Sequence, residues 1–460
     1  MYINTFVYGK IPIEIWELPA LLFLFFLVLV VGGIIKRQKI RKFPEYEFYL
    51  WGLWAKIFGG LFFASIYVFF YREGDTFSYY ECALAFKNLL YHDISDFWYV
   101  YTSGGTQEVK SFFTPDTGEP LWYIFSEDKT RFVTKLLVPF VVLSGGSYFI
   151  TTVFISIFTY GGLWSLYRVF VSHFPEYRKN LAIGVLFMPS VLCWGSGILK
   201  DSFTLAATCY FIAATNQLIS KKGSVLWNVL ILLLSGWMIS SVKAYILIIL
   251  FPGTLVWYFY SYIKGIRNAL LRVLAIPFIY LVVILISFGA LTQMGDSLGR
   301  FNLDNMFETA VVTQQDLKQD YYDGNSFDIG DFDASTMGVL SKFPAAAAAG
   351  LYRPYIWESA NVAMLLSGLE NLFILGITVL VLFSVKPKVL YKIIADNPIV
   401  LYSFIFSILF AFMIGLTTSN FGALVRFKIP LIPMYMGSIM VMYSQLNALR
   451  VKRRGKGLVI

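Results

Sequence analysis

The stretch Trp-Gly-Ser-Gly-Ile-Leu-Lys-Asp-Ser, residues 194–202, closes one apolar run and opens another. An adjacent Lys200 and Asp201 between two such runs is costly in a membrane unless the charges have a purpose. Outward from this point, apolar runs of about 20 residues recur along the chain, the length that crosses a bilayer as a helix. The 460 residues are 58% hydrophobic, 18% aromatic and 14% charged, with a mean hydropathy of +0.67. A soluble domain carries about 25% charged residues. The sequence therefore predicts an all-α polytopic membrane protein, and the lack of strand-period alternation argues against a membrane barrel.

The net charge of +9 does not form a nucleic-acid-binding patch, because the basic residues come in short clusters between apolar runs. Such clusters orient a membrane protein, positive side inward. Cys82, Cys193 and Cys209 allow at most one pair and read as packing residues. The first apolar run follows Glu14 and Glu17 rather than a basic segment, so no cleavable signal peptide is expected.

The predicted spans are 16–35, 48–71, 148–170, 181–198, 203–219, 225–241, 244–262, 273–292, 359–384, 399–418 and 429–446. The short run 132–147, with Lys135, Pro139 and a Ser-Gly-Gly-Ser ending, reads as a helix in the membrane interface. Making it a span would invert every later loop and put most basic clusters outside. Lys36–Lys42 and the cluster around Arg450–Lys456 then mark the inner side. About eleven spans follow, with the N-terminus outside, the C-terminus cytoplasmic, and two long outer loops at 72–147 and 293–357.

That topology gathers Asp75, Lys200, Asp201, Lys243, Arg353, Glu358, Asn420 and Arg426 at the outer leaflet. Asp75, in Gly-Asp-Thr-Phe-Ser-Tyr-Tyr (74–80), is a candidate general base for a sugar hydroxyl; it is equally well placed to cap the next helix. Lys200 opposes the positive-inside bias, which an anionic lipid phosphate would explain, whereas Asp201 suits a helix cap. Lys243 repeats the pattern between two spans. Arg353, in Leu-Tyr-Arg-Pro-Tyr-Ile-Trp-Glu (351–358), can grip a phosphate bidentately or pair with Glu358 beside an anchoring Trp357. Asn420 and Arg426 lie in a further hairpin, Ser-Asn-Phe-Gly-Ala-Leu-Val-Arg-Phe-Lys-Ile-Pro (419–430). Glu370 lies deeper in a span and reads as a buried partner for one of the basic groups. Pro344–Gly350 reads as a short close-packing helix. The acidic stretch around 322–331 lacks the closing glutamate of an EF-hand and reads as a solvated loop. No nucleotide or zinc motif appears, no cofactor is required, and no metal is indicated.

Taken together, the Gly-Asp-Thr loop, Trp-Gly-Ser-Gly-Ile-Leu-Lys-Asp, Arg-Pro…Trp-Glu and Asn-Phe-Gly…Arg-Phe-Lys-Ile-Pro resemble motifs of polytopic bacterial envelope proteins. These are the GT-C-type polyprenyl-phosphate-sugar glycosyltransferases and the O-antigen or exopolysaccharide polymerases. The resemblance covers about residues 45–445 and implies Asp75 as base, an interfacial helix in the first outer loop, and basic residues on the carrier phosphate. The chain departs from the pattern in having a span before that loop and no paired acids. The expected function is transfer of a sugar or repeat unit, at the outer leaflet of a bacterial inner membrane. The donor would be a polyprenyl-phosphate- or pyrophosphate-linked sugar, and the acceptor a glycan or lipid. A transporter or flippase for lipid-linked oligosaccharide is the alternative from another class.

Overall fold

The computed structural model describes residues 5–8, 11–266, 326–333 and 335–454, with isolated positions between 268 and 315. Among these, six helices are long and apolar enough to cross a membrane: Glu17–Lys39, Pro44–Tyr71, Tyr148–His173, Val225–Tyr260, Val362–Phe383 and Pro398–Thr417. Phe421–Phe427 and Ile432–Val451, bent by 66°, make a seventh if counted as one. The protein is helical and membrane-embedded. It folds as two compact units, one comprising Met1–Val169, Val191–Ala214 and Leu226–Ala244, the other Phe170–Ser190, Thr215–Val225 and Tyr245–Ile460.

The first unit opens with a hairpin, β1 (Thr5–Tyr8) against β2 (Ile11–Glu14), paired Thr5 to Glu14. Helix α1 (Glu17–Lys39) then exposes Leu18, Leu22, Phe23 and Phe26, as a helix solvated by lipid does. Its last turn holds Lys36, Arg37 and Lys39, where cations suit the helix dipole. Helix α2 (Tyr49–Ser65) continues as a π-helix through Ile66–Tyr71.

The predicted outer loop 72–147 is itself folded. Helices α3 (Asp75–His92), α4 (Ile94–Thr102) and α5 (Asp128–Leu143) bury Phe77, Tyr80, Phe86, Phe97, Leu137 and Val141 in one cluster. Asp93 starts α4 by accepting from Ser95 N at 2.7 Å and Asp96 N at 2.9 Å, the usual N-cap chemistry. Helix α5 starts four residues before the predicted 132 and packs on α3; its 16 residues are fewer than a span requires. Cys82 is a packing thiol here: burial pushes it up to about 12, so it stays protonated.

Helix α6 (Tyr148–His173) matches the predicted span, but the next segment does not. Residues 181–198 are not one helix. They form α7 (Arg178–Leu186), α8 (Pro189–Cys193) and a non-helical turn at 194–199, because Pro189 and Gly195 interrupt the ladder. Helix α9 (Lys200–Ile219) follows, and it is not among the helices apolar enough to cross unaided. The predicted pair 225–241 and 244–262 is two helical stretches that meet at a kink at Lys243, whose backbone is non-helical; the two are labelled together as α10 (Val225–Lys264). Lys243 lies at the break between the two stretches. Apart from isolated positions, the predicted span 273–292 and the part of the predicted loop 293–357 before residue 326 lie outside the described residues.

In the second unit, α11 (Phe343–Tyr352) packs on α14 (Pro398–Thr417), as its alanine-rich sequence leads one to expect. Around them lie α12 (Val362–Phe383), α13 (Pro387–Ala395), α15 (Phe421–Phe427) and α16 (Ile432–Arg454). The α11–α14 approach is backbone to backbone. A Cβ on Gly415 would stand 2.0 Å from Ala346 O, and one on Gly350 2.1 Å from Ala411 O. Small residues are what allow membrane helices to close to this distance. Gly415→Leu is therefore expected to cost at least about 1–3 kcal/mol. Gly376→Ala, with nothing within 4 Å of its added methyl, should be neutral or stabilising. Thermal denaturation of the detergent-solubilised protein separates the two; equal midpoints would contradict this packing.

Candidate functional site

Asp75 is the first residue of α3, after Gly74, whose φ of 131° only glycine adopts readily. The motif around it divides by side. Thr76, Phe77, Tyr79 and Tyr80 are buried, Thr76 sharing a 2.8 Å hydrogen bond with Tyr148, while Asp75 is exposed. A solvent-accessible acid on a fixed helix end can take a proton from a hydroxyl presented to it.

Asp201 and Lys243 are brought together, 42 residues apart in sequence, as an ion pair that is 1% and 5% exposed. Asp201 lies in the first turn of α9, and its carboxylate holds Lys243 at the break in α10. Each charge offsets the other. Lys200, the neighbouring residue, is half-buried at the start of α9, and its ammonium has no hydrogen bond or ion pair among the described residues.

What presents Lys200 is a lysine that does not stand out in the sequence. Lys56, in the middle of α2, is 0% exposed and donates to Val191 O at 2.7 Å and Gly195 O at 2.8 Å. Those carbonyls are freed where α8 ends, and a buried carbonyl needs a donor. The turn is held further by Ser196 Oγ to Leu192 O (2.5 Å), Ser156 Oγ to Ser196 O (3.2 Å) and Ser202 Oγ to Gly197 O (2.7 Å). A Cβ on Gly59 would sit 2.3 Å from Leu192 O, so α2 and the turn touch directly. The available signal was a lone lysine in an apolar run.

The second unit holds Arg353, Glu358, Asn420 and Arg426. Arg353 Nε lies 3.5 Å from Glu358 Oε1, and its Nη1 donates to Asp328 O at 3.3 Å. Its guanidinium is 5.2 Å from the Phe327 ring centre and 5.6 Å from that of Tyr355, both within cation–π range. Glu358 Oε2 accepts from Tyr355 N at 2.8 Å, closing a capping box around the turn Ile356–Glu358. Arg353 is thus fixed in orientation while a quarter of its side chain stays exposed.

Asn420 serves the local fold. Its side chain accepts from Ala423 N at 3.0 Å and caps α15, and its backbone bridges Ser326. Arg426 is half-buried in the last turn of α15. The buried cation of this hairpin is Lys428, 1% exposed, which donates to Arg353 O at 3.1 Å and to Asn371 Oδ1. Asn371 Nδ2 donates in turn to Pro354 O at 2.9 Å. Glu370, expected to be a buried partner for a basic group, interacts electrostatically with Lys428 and accepts two 2.7 Å hydrogen bonds from Ser190 N and Oγ. A carboxylate this deep in a helix is tolerated only when so satisfied.

No protein-family model, curated protein or solved structure matches the chain.

Proposed function

We propose that the chain is a bacterial inner-membrane glycosyltransferase or repeat-unit polymerase of GT-C-like arrangement. It would move sugar from a polyprenyl-phosphate or -pyrophosphate carrier to an acceptor glycan or lipid at the outer leaflet. The observation that carries the proposal is Arg353. A guanidinium held between two rings and one carboxylate, with its backbone carbonyl pinned by a buried lysine, is built to present a cation in a fixed direction. Planar forked donors suit a phosphate. The basic ends of α1 and α16 support an arrangement with the N-terminus outside and the C-terminus in the cytoplasm, which takes an odd number of crossings.

In the reaction, the acceptor hydroxyl loses its proton to Asp75 and its oxygen bonds to the anomeric carbon. The bond from that carbon to the phosphate oxygen breaks. The electron pair leaves with the carrier phosphate, whose charge a basic side chain offsets. Asp75→Asn removes the proton acceptor at an exposed position, so product formation should fall by about 10²–10⁴-fold with no change in protein level. Undiminished polymer or glycolipid from the Asn variant would end the assignment of Asp75 as base.

One set of observations favours transport instead. Helix α10 is interrupted at Lys243, the 186–199 segment is broken and held by Lys56, and Lys428 sits at the bend between α15 and α16. Transporters place charges at interrupted helices in this way. Reconstituted vesicles carrying labelled lipid-linked sugar decide between the two: translocation without any bond transfer supports a flippase.

A further inference from the structure

The surroundings of Arg353 continue beyond the charge. Phe421 and Phe327 lie ring to ring at 5.3 Å. The Arg353 guanidinium follows at 5.2 Å from Phe327 and 5.6 Å from Tyr355. Tyr355 then stacks on Trp357 at 4.9 Å with an 18° angle between planes. Four rings and a cation make one column, anchored at a buried end (Phe421, Phe327) and finished by Trp357, which is 79% exposed. The capping box at Tyr355 and Glu358 holds the turn that carries the indole.

We infer that the exposed face of Trp357 is a sugar-binding platform, on which a pyranose ring of the lipid-linked donor stacks while its phosphate meets Arg353. The inference rests on the proposed glycosyl transfer and names the residue that would recognise the sugar. Three features of the column point to a carbohydrate rather than an acyl chain. A flat, immobilised ring suits the apolar C–H face of a pyranose. Glu358 follows Trp357 in the chain, and a carboxylate has about four acceptor positions, of which Arg353 and Tyr355 N use two, leaving capacity for sugar hydroxyls. The Arg353 cation in the same column supplies the complement to a phosphate. A tryptophan that only anchors the protein in the headgroup region needs no guanidinium in the same column.

The test compares two probes on the detergent-solubilised full chain. One is the lipid-linked sugar pool extracted from membranes of the producing organism, and the other is sugar-free polyprenyl phosphate. Wild type is expected to prefer the sugar-bearing lipid. Trp357→Leu should lower affinity for it by about five- to tenfold, the scale of an aromatic stacking contact, and leave the bare phosphate unaffected. Trp357→Phe should retain most of the preference. A Leu variant that keeps the full preference, or that loses both probes equally, overturns the platform while leaving glycosyl transfer standing. Wild-type protein that binds neither probe overturns the proposed function itself, and the platform with it.

Discussion

Asp201→Leu, made alone, lowers the stability of the solubilised protein by about 3–5 kcal/mol, and adding Lys243→Met recovers most of the loss. The reason lies in what is left behind. Lys243 and Asp201 are 5% and 1% exposed, and each is the other's counter-ion. Removing the carboxylate strands an ammonium in a low-dielectric interior, beside a backbone already out of helical geometry at φ −143°, ψ 73°. Removing both leaves an apolar site of similar volume, which is often no worse than the pair. The measurement is the thermal midpoint of four proteins: wild type, each single variant and the double. Single variants as stable as the double would show that the pair contributes no coupling there.

Lys56→Met costs about 2–6 kcal/mol by the same logic applied to hydrogen bonds. Two buried carbonyls, Val191 O and Gly195 O, lose their donor at once, and each unsatisfied group costs about 1–3 kcal/mol. Methionine matches the length of lysine and fills its volume, so the loss is specific to the ammonium. Hydrogen–deuterium exchange is the discriminating readout. Amides of 191–199 should lose protection in the variant, while those of α3 and α5, in another part of the same unit, should not. Unchanged exchange in 191–199 would mean that the serine hydrogen bonds hold the turn unaided.

These two sites show where sequence reading ends. Elements specified by neighbouring residues were legible: α1 from its run and basic stop, α11 from Pro344 and its alanines, α5 as a helix too short to cross, and α14 from its apolar run 399–418. The ion-pair option for Arg353 and Glu358 was legible too, because five residues separate them. The break at Lys243 was legible too, from a charge between two apolar runs. The continuous helix expected at 181–198 was not correct, because hydropathy counts apolar residues and does not register that a ladder has broken. The pairing of Asp201 with Lys243 was not legible, because the partner lies 42 residues away.

Apolar run length and the order of basic clusters, both local properties, determined by sequence alone that this is a helical membrane protein, and they nominated Asp75, Lys200 and Arg353. Tertiary structure alone decided what the buried charges do. Lys56 meets carbonyls 135 and 139 positions on, Lys428 meets Arg353 O from 75 positions away, and Lys243 meets Asp201. A charge inside an apolar run has a high energy until packing supplies its partner. That partner can come from any other segment of the chain, and nothing in the flanking residues says which.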